Sequence, residues 1–188
     1  MRLRGGDTPL SAEELCPRDT VRLISVRRQA FDNGAPHSRL PALGWSSWVA
    51  LGPGDEHPVF DYCDENSVKA AADAFMEVGL YDAGYRHLHL DDCWAAKERN
   101  ATGYAYPEKD HFPNGMKPVV DYVHSKGKDG DNLVFGLYTC GGKETCVGGR
   151  VGSEGFWEKD AAVYAEWGVD WVKMVRLPAA CFPRRAVC

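Results

Sequence analysis

The sequence predicts an α/β protein, a partial (β/α)8 TIM barrel that holds about the first four βα units. Three observations predict it: short apolar runs alternate with stretches of helical period, one run is apolar on both faces, and no glycine-rich phosphate loop follows the first strand. A doubly wound nucleotide binder would carry such a loop. "GWSSWVALGPGDEHPVFDYC" has neither a GxGxxG nor a GxxxxGK[ST] pattern, and "CGGKETCVGGRVGSEG" is too irregular to cradle a phosphate. A complete barrel needs about 200 to 250 residues. Only four strands are legible, so the expectation is a part of one.

Residues 1–39 are charged and broken by Gly and Pro, with one strand-like run, "TVRLISV"; they read as an N-terminal extension. The first strand is expected at 41–48. From Asp64 the period becomes helical: Val68, Ala72, Phe75 and Met76 recur at three- and four-residue spacing, with Asp64 or Asn66 available as cap and Gly79 as stop. A strand follows at 85–91. Met116, Val119, Val120 and Val123 then mark a second helix, in which Pro118 is tolerable only near the first turn. "LVFGLYT" is a strand at 133–139; Phe156, Val163, Tyr164 and Trp167 mark a third helix before Gly168, and "VDWVKM" is a strand at 169–174.

Composition narrows the function classes. The 188 residues carry a net charge of -5 with scattered basic side chains, which gives nucleic acid or an anionic membrane no patch to bind. No apolar run approaches a membrane span, and the N-terminal residues lack the apolar core of a signal peptide. Seven cysteines favour an oxidising compartment, where the Asn-Ala-Thr tripeptide at Asn100 would be a glycosylation sequon.

In a barrel the chemistry sits where strands end. The strand ends supply Trp45 and Trp48, Asp91 and Asp92, Tyr138 and Cys140, and Lys173. Aromatic faces pack on the C–H face of a pyranose, while carboxylates and lysine hydrogen-bond its hydroxyls. Taken singly, the tryptophans read as core residues and the adjacent aspartates as turn residues. Polar groups ending three successive apolar strands favour a cleft, because buried charges need partners or solvent. A metal-dependent barrel hydrolase is the alternative, since His87, His89 and Asp91 alternate onto one strand face. No other histidine stands at a strand end, so these residues read first as an inward-facing layer.

"LPALGWSSW", "DAGYRHLHLDDCWAA", "FPNGMKPVVDYVHSKG", "GLYTCGGKETC" and "GSEGFWEKDAAVYAEWGVDWVKM", in that order, resemble glycoside hydrolase family 27, the α-galactosidase and α-N-acetylgalactosaminidase family. The resemblance runs from about Leu40 to Met174. It implies a retaining exo-glycosidase for terminal α-linked galactose, on a (β/α)8 barrel, without a cofactor and in a secretory, vacuolar, lysosomal or extracellular setting. Trp48, Asp91, Asp92, Tyr138 and Lys173 are then the residues expected to hold the terminal sugar. Cys63 and Cys93 are expected to form the disulfide between the first two strand-end loops.

A retaining mechanism needs one carboxylate to attack the anomeric carbon and a second carboxyl to protonate the leaving oxygen. The resemblance places the nucleophile two residues after Lys173, in a K-x-D-x-C pattern; this chain has Val175 there and Leu177 at the cysteine position. The acid/base aspartate is expected on a later strand, beyond Cys188. No catalytic residue is therefore expected in this chain, and residues 175–188 read as a tail outside the family frame. Cys146 is expected to have lost its family partner, with Cys140, Cys181 or Cys188 as substitutes. Such a chain is an inactive family member or a non-catalytic galactose-binding remnant. Its small-molecule partner is a terminal α-galactoside, and its open sheet edges favour pairing of two half barrels.

Overall fold

The computed structural model describes residues 41–48, 63–146 and 149–175. The strand-like run at 20–26, and Leu177, Cys181 and Cys188, lie outside the described residues. The elements are β1 (Gly44–Ser46), α1 (Glu65–Glu77), β2 (His87–Leu90), α2 (Lys117–His124), β3 (Gly127–Lys128), β4 (Asp131–Asn132), β5 (Val134–Cys140), α3 (Trp157–Trp167) and β6 (Trp171–Val175). β1, β2, β5 and β6 form one parallel sheet in that order, with β1 and β6 at its edges among the described residues. Four parallel strands with intervening helices make this a partial (β/α)8 fold.

Each helix follows its sequence signals. Asp64 caps α1 by accepting the Ser67 N–H at 2.7 Å, and Val68, Ala72 and Phe75 are its buried stripe. Pro118 sits in the first turn of α2, where it removes no helical hydrogen bond, and Val119, Val120 and Val123 face inward. Gly168 ends α3 in the left-handed conformation at φ 85° that favours glycine.

Strand alternation divides the sheet into two faces. Leu88, Leu90, Phe135 and Leu137 pack with Phe75 and the α2 valines into the core between sheet and helices, all nearly or fully buried. Each such burial contributes about 1.5–3 kcal/mol. The opposite face carries His87, His89, Gly136, Tyr138, Trp171 and Lys173. Gly136 is obligatory there, because a Cβ would stand 2.3 Å from the Trp171 ring. Its absence lets the indole lie across β5 and stack on His89, with ring centroids 4.5 Å apart. On β6 the outward Val172 and Met174 are 38% and 51% exposed, so the helix-side core is uncovered at this edge.

One feature differs from the sequence expectation, and one adds to it. β1 is three residues long rather than spanning 41–48, because only Gly44–Ser46 pair with β2. The "KDGDN" stretch forms an antiparallel hairpin, β3–β4, turned by Asp129 and Gly130 at φ 55° and 81°. Asp-Gly is the residue pair this turn demands. Tyr81 anchors the hairpin, donating to the Asp131 carbonyl at 2.6 Å and accepting the Lys128 N–H at 3.0 Å.

Charged groups tie the loops and helices to this frame. Arg99, in the loop after β2, makes a two-pronged contact with Asp160 of α3 at 2.6 and 2.8 Å and donates to the Gly152 carbonyl at 2.7 Å. Asp170, just before β6, accepts from the Phe135 N–H at 2.7 Å and sits 2.8 Å from His124 Nε2.

The Asp170 hydrogen bond raises the His124 pKa above its ordinary 6.5, with Asp121 adding to the effect, against burial and Lys117. A raised folded-state pKa means the stabilisation is complete below about pH 6.5, the unfolded value, and disappears as pH rises through the folded value. Urea midpoints between pH 6 and pH 9 should therefore fall with pH in the wild type and fall less in His124→Gln. Equal slopes would contradict this assignment.

Candidate functional site

Register brings the strand-end polar groups together. Tyr138 is opposite Lys173, and Asp91 follows directly after the Leu90–Leu137 pair, so the three side chains lie at one level on the inner face. Lys173 Nζ is 2.6 Å from Asp91 Oδ2 and 5.3 Å from the centre of the Tyr138 ring. Asp92 is buried beside them, its N–H donating to Asp91 Oδ1 at 2.8 Å. The Asp91 N–H in turn donates to Ser47 Oγ at 2.9 Å, which ties β2 to the end of β1.

The electrostatics follow from this packing. Burial pushes the Asp91 carboxyl up, but His89, Lys173 and the Asp92 N–H outweigh it and hold the pKa below the ordinary 3.8. Asp91 is therefore a carboxylate at neutral pH. Burial, reinforced by the negative charge of Asp92, pushes the Tyr138 phenol far upward, so it stays a neutral hydroxyl. That hydroxyl donates to Cys146 Sγ at 3.3 Å. Lys173 has three N–H donors, and its contact with Asp91 occupies one.

Beneath this level lies the layer of His89 and Trp171. His89 Nε2 is 3.2 Å from Asp91 Oδ2, and the stacked indole fixes its ring. Ser47, His89 and Trp171 were not among the residues singled out for the sugar. Their signal in the sequence is spacing alone, since His89 and Trp171 each stand two residues before a cluster member. His87 meets Trp171 edge to face at 6.2 Å between centroids. Among the described residues, no three His, Cys, Asp or Glu side chains gather closely enough to hold a metal ion.

Trp48 stands two residues past β1, half-buried, and among the described residues no hydrogen bond or ring contact joins it to the cluster. Trp45 packs against the helix-side core rather than entering the rim, because it alternates with Ser46 and pairs with Leu88. Cys63 and Cys93 form a disulfide, with Cα atoms 6.1 Å apart. Cys146 is also disulfide-bonded, so the leucine at position 177, where the resemblance expects its partner, does not leave it unpaired. Cys140 is a free, buried thiol and is not a substitute.

Val175 is the last residue of β6, opposite Cys140, and its carbonyl accepts the Gly141 N–H at 2.8 Å. Its side chain packs on Tyr138 and Cys140. The position two residues beyond Lys173 thus faces the same cluster, and it presents an isopropyl group.

The Melibiase_2 family profile, described as Alpha galactosidase A, matches residues 40–182. Alpha-galactosidase A of Cellvibrio japonicus is 41% identical over 153 residues, covering 80% of this chain and 33% of that protein. The alpha-galactosidase of Cyamopsis tetragonoloba is 40% identical over 151 residues, covering 79% and 33%. Among solved structures, alpha-galactosidase I from Mortierella vinacea superposes with a TM-score of 0.62 at 33% identity, over 72% of this chain and 31% of that one. The Saccharomyces cerevisiae alpha-galactosidase solved with raffinose gives 0.61 at 33% identity, over 72% and 27%. The chain spans about a third of the length of the curated relatives it matches. With the profile covering well over half of its residues, the chain belongs to the Melibiase_2, or Alpha galactosidase A, family.

Proposed function

We propose that this chain carries the sugar-holding part of an α-galactosidase-type site and, as it stands, does not hydrolyse α-galactosides. Asp91, Asp92, Tyr138 and Lys173, with Trp48 at the rim, are the residues that hold a terminal galactose. The observation that carries this reading is the Lys173–Asp91 contact at 2.6 Å beside the Tyr138 ring. An ionised acceptor, a cationic donor and a neutral phenol on one inner face suit a ring of hydroxyls. The solved relative named with raffinose, an oligosaccharide, supports a sugar partner.

Inactivity rests on Val175. A retaining glycosidase attacks with a carboxylate, and valine has no oxygen to offer. Among the described residues none is placed for the acid/base role, which the resemblance assigns to a later strand. The profile match continues to residue 182, past Met174, and within it Val175 and Leu177 stand where the resemblance expects aspartate and cysteine.

The chain is expected to be retained on immobilised galactose and released by free galactose, and to liberate no nitrophenol from 4-nitrophenyl α-galactoside. Val175→Asp restores one carboxyl of the two, so it too should be inactive. Hydrolysis by either protein would overturn the catalytic half of the proposal, and failure to bind galactose would overturn the other half.

A further inference from the structure

Asn100 opens the single Asn-X-Ser/Thr tripeptide in the sequence, and its surroundings are built around one atom of its side chain. Asn100 Oδ1 accepts three hydrogen bonds: from the Thr102 N–H at 3.0 Å, the Thr102 hydroxyl at 2.9 Å and the Tyr104 N–H at 2.9 Å. The backbone closes the turn, with the Gly103 N–H donating to the Asn100 carbonyl at 2.8 Å and the Asn100 N–H to the Tyr104 carbonyl at 3.0 Å. Gly103 adopts φ 84°, which a side chain would strain.

With Oδ1 turned inward, Nδ2 is the free end of an exposed side chain, and it has no hydrogen-bond partner among the described residues. Ala101 and Thr102 are exposed as well. The turn is firmly seated: Lys159 donates to the Thr102 carbonyl at 2.7 Å, and Arg99 holds the Gly103 carbonyl at 3.1 Å. A large substituent on Nδ2 would extend into solvent without displacing anything packed. The two disulfide-bonded sites, Cys63–Cys93 and Cys146, are the second observation, because they form in the oxidising compartments where sequons are used.

We propose that Asn100 is an N-linked glycosylation site. Its Nδ2 attacks the anomeric carbon of an oligosaccharide carried on a lipid pyrophosphate. The C–N bond forms as the sugar–phosphate C–O bond breaks, the lipid pyrophosphate departs with the bonding electrons, and Nδ2 loses one proton. Neither galactose binding nor hydrolysis enters into this inference.

The test is translation of the full chain behind a cleavable secretion leader in the presence of microsomes, followed by peptide N-glycosidase digestion in 18O-water and mass spectrometry. This readout does not require the variants to fold. The wild type should give a heavier species that digestion removes, leaving an 18O-labelled aspartate at position 100. Thr102→Ser should keep the heavier species, whereas Thr102→Ala and Asn100→Gln should lose it. An unmodified wild type inside the microsomes, or modification that survives Asn100→Gln, would overturn the proposal.

Discussion

Asp160→Ala is expected to destabilise the chain by about 3–5 kcal/mol, the usual cost of removing one partner from a buried ion pair. The loss is larger than one contact, because the Arg99 guanidinium also supports the Gly103 and Gly152 carbonyls and stacks on the Phe156 ring at 4.0 Å. The side chains of Arg99 and Asp160 are only 11% and 3% exposed, so water cannot replace the carboxylate without opening the loop. Urea unfolding should report the loss as a lowered midpoint. Arg99→Met combined with Asp160→Leu removes both charges and should recover much of the stability, since it leaves no buried charge alone. A double variant as unstable as Asp160→Ala would assign the effect to packing instead.

Lys173→Met is the second large effect, and it acts on binding. Methionine fills a similar apolar volume but removes three donors and a positive charge. Asp91, 2% exposed, then loses its cation and the electrostatic support that keeps its carboxyl low. Hydrogen bonds to charged groups contribute about 1.5–3 kcal/mol. Galactose affinity should fall by about tenfold to a hundredfold, at about 1.4 kcal/mol per factor of ten. Lys173→Arg keeps the charge on a wider head and should fall between the two, because a guanidinium does not reproduce a compact ammonium.

The sequence made the strand and helix order legible because each element has a clear period and a residue to end it. Gly168 and Pro118 stand where their backbone constraints put them, and Asp64 caps as expected. The cluster was legible in part, because Asp91, Tyr138 and Lys173 share the inward parity of their strands. Trp45, at the end of a strand, takes the core reading offered for the tryptophans singly, since alternation with Ser46 turns it toward the helices. The β3–β4 hairpin is written in Asp129-Gly130, but strands of two residues each leave no period to read. Arg99–Asp160 and the His89–Trp171 stack join positions far apart in sequence, and no local pattern marks such pairs. Likewise, the pairing of Cys146 could not be derived from spacing.

The central claim is that the inner-face cluster of Asp91, Asp92, Tyr138 and Lys173 holds a terminal galactose. Calorimetric titration of the 188-residue chain with galactose, run beside Lys173→Met, tests it most directly. The account predicts saturable binding in the wild type and an affinity at least about tenfold lower in the variant. No binding to the wild type, or equal affinity in both proteins, would contradict it.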